Sequence, residues 1–279
     1  MIDKVVIPIA GLGTRMGPLA RVVPKALLPL VDRDGRVRTV LDLLIIEALE
    51  AGCQQVCLVV HPGHRELVRD YLSAAQVGAA HLELVDAAPR GFGFAVAQAR
   101  PFTRDEPFVL LLGDHLRQGG GPNAVAALTA AHQRLGSAAT LGVHEVDSQQ
   151  LASVGVARGV PLEGASGGAQ DLYRCAAFVE KPTAQKTHEL LATPGLPEGR
   201  FLAHAGLYVF GPQLWPCLDE ATRRTPPGRE IELAAAQAIL LERHPRDYYL
   251  VRIGARVFDT GQPAGYLAAL RAWAPPGQL

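Results

Sequence analysis

The sequence predicts an α/β protein with a largely parallel sheet and helices on both faces of that sheet. Two observations support this class. Short β-branched runs alternate with helical patterns over the first half of the chain, which is the order that βαβ units produce. The runs are apolar at nearly every position, as expected for strands that are covered on both faces.

Four apolar runs in the first half are predicted as buried strands. They are residues 4–10, 55–60, 81–85 and 108–112. Between the first two, the segment VLDLLIIEALEAG repeats apolar residues at helical spacing and predicts a helix. The segment from residue 10 to 29 carries glycines and prolines that disfavour both a helix and a strand, so we expect an irregular loop there.

After about residue 138 the alternation loosens, and both kinds of element are still predicted. The strands are residues 138–143, 172–180, 201–210 and 248–253, and the helices are residues 183–192, 230–243 and 262–273. The segment EGASGGAQD (163–171) is typical of a hairpin tip or loop, and not of a linker between domains. We therefore predict one domain over residues 1–279.

Charge and cysteine content narrow the class of partner. Lys plus Arg and Asp plus Glu balance at 27 each, so no net field attracts nucleic acid or an acidic membrane. The cysteines form no CxxC pair, and no long apolar run is present. We expect a cytoplasmic protein without a nucleic-acid or membrane partner, in which a local cluster of cations holds any anionic ligand.

The loop after the first strand is the first candidate site, because ligands of such sheets bind beyond the carboxyl ends of the strands. Gly11 and Gly13 let backbone N–H groups approach a phosphate, and Arg15 and Lys25 supply positive charge. A surface turn with solvated cations is the alternative. A dinucleotide site is disfavoured, since the third glycine of GxGxxG would fall on Met16.

Two acidic residues are candidate ligands of Mg²⁺. Asp114 follows an apolar run in LLGDH, and Asp259 follows a short apolar segment in VFDTG. One such aspartate is more often a helix cap than a ligand. Two that converge on one metal would suit a reaction at the phosphorus of a nucleoside triphosphate.

The segment GLGTRMGPLARVVPKALLP closely resembles the GxGTRxxPxxxxxPKxxxP signature of the sugar-phosphate nucleotidyltransferases, in particular of the bacterial UTP:glucose-1-phosphate uridylyltransferases. Further matching segments follow in the same order. They are RGFGFAV, LLGDH, FVEKP, AGLYVF, GREIEL and FDTG. The resemblance covers nearly the whole chain and implies a Rossmann-like three-layer αβα nucleotide-diphospho-sugar transferase fold with a mixed, mostly parallel central sheet.

The resemblance also implies a reaction and its residues. An oxygen of a hexose 1-phosphate attacks the α-phosphorus of the nucleoside triphosphate, and pyrophosphate leaves. Arg15 and Lys25 are then the catalytic cations, and Asp114 and Asp259 hold Mg²⁺. The implied nucleotide-binding residues are Ala10, Gly11, Gly13, Thr14, Asp86 and Gly91. The implied sugar-phosphate-binding residues are Gly155, Glu180, Lys181 and Gly206.

The same resemblance implies that two parts of the chain bind different substrates. Residues 1–135 are expected to bind the nucleotide, and residues 136–279 to bind the sugar and to end in a C-terminal helix. The partners are a nucleoside triphosphate and a sugar 1-phosphate, and the expected assembly is a homo-oligomer, either a dimer or a tetramer.

One departure from the family pattern concerns the base. The family usually has a glutamine where this sequence has Asp86, and an ionised carboxylate can only accept hydrogen bonds. UTP is the predicted nucleotide, with GTP and dTTP as alternatives. Two other classes stay open: a catalytically silent, sugar-nucleotide-sensing subunit of the same fold, and a Rossmann-type oxidoreductase.

Overall fold

A mixed sheet of nine strands lies at the centre of the part of the chain that the computed structural model describes, residues 1–32, 34–75, 78–79, 81–119, 121–162, 172–182 and 190–274. In chain order, the strands of the protein are β1 (Lys4–Pro8), β2 (Pro29–Val31), β3 (Val37–Thr39), β4 (Gln55–Val60), β5 (His81–Asp86), β6 (Phe108–Leu111), β7 (His115–Gln118), β8 (Ala139–Asp147), β9 (Gly155–Pro161), β10 (Leu172–Glu180), β11 (Arg200–Phe210), β12 (Tyr248–Arg252) and β13 (Arg256–Asp259).

The strand order in the central sheet is β5-β4-β1-β6-β11-β8-β12-β10-β9. The first four strands run parallel to one another, and β12 runs parallel to β8. β11 runs antiparallel between β6 and β8, and β10 runs antiparallel between β12 and β9. β9 also pairs with β11, so the start of β9 lies between two antiparallel neighbours. This pairing positions the second half of the site described below.

Helices cover both faces of the sheet. They are α1 (Val40–Glu50), α2 (Arg65–Ala75), α3 (Phe92–Gln98), α4 (Arg100–Thr103), α5 (Ala124–Leu135), α6 (Leu214–Arg224), α7 (Leu233–Arg243) and α8 (Pro263–Trp273). The apolar faces of α1, α2, α5 and α8 share one core with Val5 and Ile7 of β1. α3, α4, α6 and α7 form a second core with Val6 of the same strand. Successive side chains of a strand point to opposite faces, so the protein has three layers.

The fold class predicted from the sequence is confirmed, and the differences concern short elements. The first loop is not wholly irregular, because Thr14–Arg21 and Lys25–Leu27 form 3-10 helices, the first of them broken at Gly17 by a φ of 68°. The helix predicted from residue 230 begins only at Leu233. The loop predicted at 163–171 and most of the helix predicted at 183–192 lie outside the described residues.

Two antiparallel strand pairs outside the main sheet were not predicted. β2 and β3 form a hairpin, and β3 leads into α1 through a capping box of Thr39 and Asp42. β7 pairs with β13 so that His115 lies opposite Asp259. Strands this short carry too few residues for a periodic pattern, and their pairing depends on segments far apart in the chain.

A buried ion pair fixes β7 to the helical layer. The Arg117 side chain is 1% exposed, and its guanidinium donates to both carboxylate oxygens of Glu47 on α1, at 2.9 Å from Nε and 2.5 Å from NH2. Its NH1 group also donates to the carbonyl oxygens of His115 and Ala205. One side chain therefore connects α1, β7 and β11 beneath the carboxyl edge of the sheet.

We expect Arg117→Met to destabilise the protein, because it leaves the Glu47 carboxylate partly buried without its cation. The cost for breaking such a pair is about 3 kcal/mol, which corresponds to a fall in Tm of roughly 6–12 °C for a chain of this size. The matched control is Arg69→Met, which removes an exposed pair with Glu66 and should change Tm by less than about 3 °C. Differential scanning calorimetry measures both. Equal, small changes would show that the buried pair contributes no more than a surface pair.

Candidate active site

A cleft of about 1500 Å³ opens at the carboxyl edge of the sheet. The residues that follow β1 and β6 line one side of it, and residues from β9, β10 and β11 line the other. Every site residue predicted from the sequence lines this cleft, with the exception of Asp86. The structure therefore brings together segments from Pro8 to Ala268 that are far apart in the chain.

Two carboxylates and one imidazole form a cluster in the cleft. Asp114, His115 and Asp259 each offer one ligand atom, and these atoms lie within 4.8 Å of one another. The β7–β13 pairing creates the cluster by placing Asp259 opposite His115. Thr260 strengthens it, because both its N–H and its hydroxyl donate to the carbonyl oxygen of Asp114, at 2.7 and 2.9 Å.

Asp114 stays ionised in this setting. Burial acts to raise its pKa, but the hydrogen bond from His115 Nδ1 to its Oδ1 (2.9 Å) and the ammonium of Lys25 (3.2 Å from Oδ2) hold that pKa well below the usual range. The sequence pattern did not single out His115, although it directly follows Asp114 in LLGDH. Its Nδ1 is directed to the carboxylate, so it orients one of the two candidate metal ligands.

Asp259 is held in the same manner by other groups. Arg15 NH1 lies 3.4 Å from its Oδ2, the N–H of Gly261 donates to its Oδ1 at 2.9 Å, and the Gln262 amide also donates to it. Each predicted cation therefore pairs with one predicted acid. Arg15 remains half exposed, while Lys25 is largely buried. The cleft therefore contains cations of the kind that pair with phosphate and carboxylates of the kind that hold a divalent cation.

The loop that precedes α3 lines the end of the cleft next to β1. Gly91 has a φ of 106°, and a Cβ there would lie 2.5 Å from the carbonyl oxygen of Ile231. The N–H of Ile231 donates to the carbonyl oxygen of Arg90, and the carbonyl oxygen of Ile231 accepts from the N–H of Gly93, both at 2.8 Å. The segments RGFGFAV and GREIEL thus form one wall, and a glycine is required at the contact between them.

The structure places Asp86 outside the lining of the cleft. This residue ends β5, and its Oδ1 accepts from Arg65 NH1 of α2 at 2.8 Å, outside the lining of the cleft. Arg65 NH2 also donates to the carbonyl oxygen of Leu84, which fixes the guanidinium beside the strand. From the same loop Ala88, Pro89 and Gly91 line the cleft instead.

The opposite wall is built from three adjacent strands. Gly155 of β9 lies in register with Glu180 of β10, and a Cβ on Gly155 would lie 2.8 Å from Glu180 Oε2. Lys181 follows with its Nζ 3.7 Å from Glu180 Oε1 and with a φ of 46°, a left-handed conformation uncommon outside glycine. Strain of this kind persists where the surroundings enforce it, often at functional sites.

Gly206 lies where β11 departs from regular pairing with β8. Its φ is 67°, and a Cβ there would lie 2.7 Å from the Cβ of His115. The carbonyl oxygen of Gly206 accepts from the N–H of Leu112 at 2.9 Å. This glycine therefore connects the wall formed by β11 to the carboxylate cluster.

Several polar residues of the cleft were missed by sequence reasoning. Burial is the main cause that lowers the pKa of both His144 and His204 to about 4. Glu145 also lines the cleft and pairs with Arg200 at 3.5 Å and with Arg252. These residues lie within strand sequences, where an isolated polar residue gives no signal that it faces a cavity.

The chain resembles known proteins over nearly its whole length. A family model described as nucleotidyl transferase matches residues 4–274. The UTP–glucose-1-phosphate uridylyltransferase of Bacillus subtilis is 28% identical over 291 residues, which cover 95% of this chain and 89% of that protein. A protein of that name from Staphylococcus saprophyticus is 28% identical over 294 residues, which cover 95% of this chain and 90% of its own.

Solved structures agree with these sequence relatives. A UDP-glucose pyrophosphorylase complexed with UDP-glucose matches with a TM-score of 0.79 at 25% identity, covering 98% of both chains. The UTP-bound enzyme of Acinetobacter baumannii matches with a TM-score of 0.73 at 25% identity, covering 98% of this chain and 93% of that one. The family resemblance inferred from the ordered motifs is confirmed. Among the described residues, no helix combines the length and the apolar character needed to cross a membrane.

We expect Asp114→Ala and Asp259→Ala each to lower kcat about 100-fold or more, the order of a lost electrostatic interaction with the transition state. The matched control is Asp219→Ala, which removes an exposed carboxylate of α6 that pairs with Arg100 at 3.1 Å. Steady-state rates at saturating Mg²⁺, with circular dichroism to verify folding, give the comparison. If either variant keeps near-parental kcat, the replaced aspartate is not a metal ligand and only caps a turn.

Proposed function

Because the chain belongs to the nucleotidyl transferase family, we propose that it transfers a uridylyl group from UTP to glucose 1-phosphate and releases pyrophosphate. The observation that carries this proposal is the placement of two cations and two acids in one cleft at the carboxyl edge of the sheet. The names of the similar proteins supply the choice of UTP and glucose 1-phosphate.

The reaction needs positioning and charge, with no covalent intermediate on the protein. A phosphate oxygen of the sugar phosphate forms a bond to the α-phosphorus while the bond from that phosphorus to the bridging oxygen of pyrophosphate breaks. Lys25 would stabilise the charge on the α-phosphoryl group, and Arg15 would stabilise the departing pyrophosphate. Both side chains already reach the centre of the cleft, where they contact Asp114 and Asp259.

The donor set fits a hard divalent cation, and we propose Mg²⁺. Asp114 and Asp259 would hold it, because ionised carboxylates are the protein ligands that this cation prefers. When bound, Mg²⁺ neutralises phosphate charge that the two side-chain cations cannot offset alone. His115 would keep the Asp114 carboxylate oriented through the 2.9 Å hydrogen bond to its Oδ1.

Residues 1–135 would bind the nucleotide, and residues 136–279 would bind the sugar phosphate. On the first side, the backbones of Ala10, Gly11 and Gly91 line the cleft and would contact the base, with Gly13 and Thr14 near the phosphates. On the second side, Lys181 would bind the sugar phosphate, and Glu180 would accept hydrogen bonds from sugar hydroxyls. Gly155 and Gly206 would leave room for the sugar. The exposure and positive φ of Lys181 support this role.

A cytoplasmic homo-oligomer, either a dimer or a tetramer, is the remaining part of the proposal. An exposed apolar pair supports it. Val31 and Val37 lie opposite each other in the β2–β3 hairpin, with exposed fractions of 42% and 72%. Tyr266 of α8 anchors this hairpin by donating to the carbonyl oxygen of Pro29 at 2.6 Å. Light scattering of the purified chain measures the assembly.

A catalytically silent sensing subunit is the second candidate function of the same fold. Such a subunit would be expected to lack one of the groups that handle phosphate or metal. The presence of Arg15, Lys25, Asp114 and Asp259 in contact with one another favours the enzyme. No observation favours the oxidoreductase, whose third fingerprint glycine is absent from the first loop.

We expect pyrophosphate release in a matrix of nucleoside triphosphates and sugar 1-phosphates to be highest with UTP and glucose 1-phosphate, and to require Mg²⁺. The reason is that cations for the phosphates and acids for the metal are assembled in one cleft. A coupled pyrophosphate assay measures the rates, with a Lys25→Met variant as the background control. Turnover that is highest with GTP or dTTP would change the nucleotide, and no turnover with any pair would favour the silent subunit.

Asp86→Gln tests how the base is recognised. Because the Asp86 carboxylate pairs with Arg65 outside the cleft, we expect the ratio of kcat/KM for UTP to that for GTP to stay within about threefold of the parental value. Arg65→Gln, which removes the other partner of the pair, should behave alike. A shift of tenfold or more toward UTP in Asp86→Gln alone would place residue 86 against the base.

A further inference from the structure

One imidazole on the sugar side of the cleft has no assigned role. His204 of β11 lines the cleft, yet the residue is only 8% exposed. Its Nε2 is buried and has no hydrogen-bond partner among the described residues. The rings of Phe178 and Tyr208 pack against it, each at a centroid distance of 5.8 Å. Because Nε2 is enclosed by protein atoms, a ligand in the cleft can form a hydrogen bond with this ring only through Nδ1.

The position of the ring follows from the strand pairing. Leu202 and Ala203 of β11 lie in register with Ala157 and Val156 of β9, so the next position of β11, His204, lies beside Gly155. On its other side Gly155 is in register with Glu180. A Cβ on Gly155 would lie 3.0 Å from His204 Nδ1 and 2.8 Å from Glu180 Oε2. The imidazole and the carboxylate therefore converge above one glycine.

The surroundings of His204 decide its protonation and tautomer. Burial, with the neighbouring His144, lowers the pKa of His204 to about 4, so the ring is neutral near pH 7. A neutral imidazole has one N–H and one bare nitrogen. Burying an N–H without a partner is rarer in proteins than leaving an acceptor unsatisfied, which assigns the bare nitrogen to Nε2. The proton is then on Nδ1, the nitrogen that faces Gly155.

A donor and an acceptor side by side match a hydroxyl group, which accepts one hydrogen bond and donates another. They match a phosphate oxygen poorly, because the Glu180 carboxylate repels an anion. The two oxygens of Glu180 are also divided between neighbours: Oε1 lies 3.7 Å from Lys181 Nζ, and Oε2 lies on the side of His204. The phosphate of a substrate would therefore lie toward Lys181, and a hydroxyl toward His204.

We propose that His204 determines sugar specificity: its Nδ1–H donates to one hydroxyl of the sugar 1-phosphate, and that same hydroxyl donates to Glu180. The inference rests on the proposed function, because it assumes that the substrate is a sugar 1-phosphate. It adds the side chain that recognises the sugar and the chemical group that it recognises. A sugar that lacks this hydroxyl leaves both the imidazole N–H and the carboxylate unpaired and is bound more weakly.

The test compares glucose 1-phosphate with its 2-, 3-, 4- and 6-deoxy analogues. In the parental enzyme, one analogue should lose about tenfold or more in kcat/KM relative to the others. His204→Val should lose a similar factor on glucose 1-phosphate and almost nothing further on that one analogue. Its KM for UTP should remain within about twofold of the parental value, which a general structural defect would not allow.

Two amide variants locate the nitrogen that acts. The side-chain nitrogen of an asparagine can occupy the place of Nδ1, so His204→Asn should recover most of the lost kcat/KM. The longer glutamine places its amide nearer to Nε2, so His204→Gln should not. Gly155→Ala inserts a methyl group between the imidazole and Glu180 and should reproduce the loss of discrimination. Calorimetric titration with glucose 1-phosphate and the deoxy analogues gives the same comparison without turnover.

The outcomes separate this inference from the proposed function. Turnover of UTP and glucose 1-phosphate together with unchanged discrimination in His204→Val overturns the role of His204 and leaves the proposed function standing. An equal loss on all analogues also overturns it, since the ring would then only support the wall. If the parental chain neither turns over nor binds any sugar 1-phosphate, both statements are wrong.

Discussion

Two carboxylates held side by side are the constraint on which the rest of the site depends. The ligand atoms of Asp114 and Asp259 belong to a cluster within 4.8 Å, where like charges repel. Lys25 and Arg15 offset this repulsion at 3.2 and 3.4 Å. Under the proposed function, ligand binding would be an exchange of partners: a divalent cation would replace the side-chain cations at the carboxylates, and phosphates would replace the carboxylates at the side-chain cations. Each ligand would replace one partner of an existing ion pair, so no charged side chain would be left without a partner.

The sheet supplies these four charges from separate parts of the chain. β1 and β6 are parallel neighbours, so the loop that carries the cations and the turn that carries Asp114 leave the sheet at the same edge. Asp259 comes from near the C-terminal end of the sequence and reaches this edge through the β7–β13 pairing. Arg117 holds β7 in place by its ion pair with Glu47 of α1 and by its hydrogen bonds to the backbone of β7 and β11. A buried ion pair outside the lining of the cleft therefore supports β7, the strand with which Asp259 pairs.

How far the sequence predicts this site depends on how local each signal is. Asp114 could be found, because an apolar run and a glycine place it at a strand end. Asp86 has a similar position at a strand end, but its carboxylate pairs with Arg65 of another element, and no local pattern reveals that pair. His204 could not be found at all. It interrupts an apolar strand, and only the register of three strands shows that it meets Glu180.

The glycines of the site illustrate the same limit. From the sequence, they were interpreted as places where the backbone comes close to a ligand. Gly11 fits that interpretation, since a Cβ there would have open space around it. At Gly13 and Gly206, a Cβ would instead lie 2.9 Å from Lys25 Cε and 2.7 Å from His115 Cβ. These two glycines make room for the side chains that act, so a glycine and its functional neighbour form one unit. A larger residue at position 13 would displace Lys25, and one at position 206 would displace His115, with or without a bound substrate.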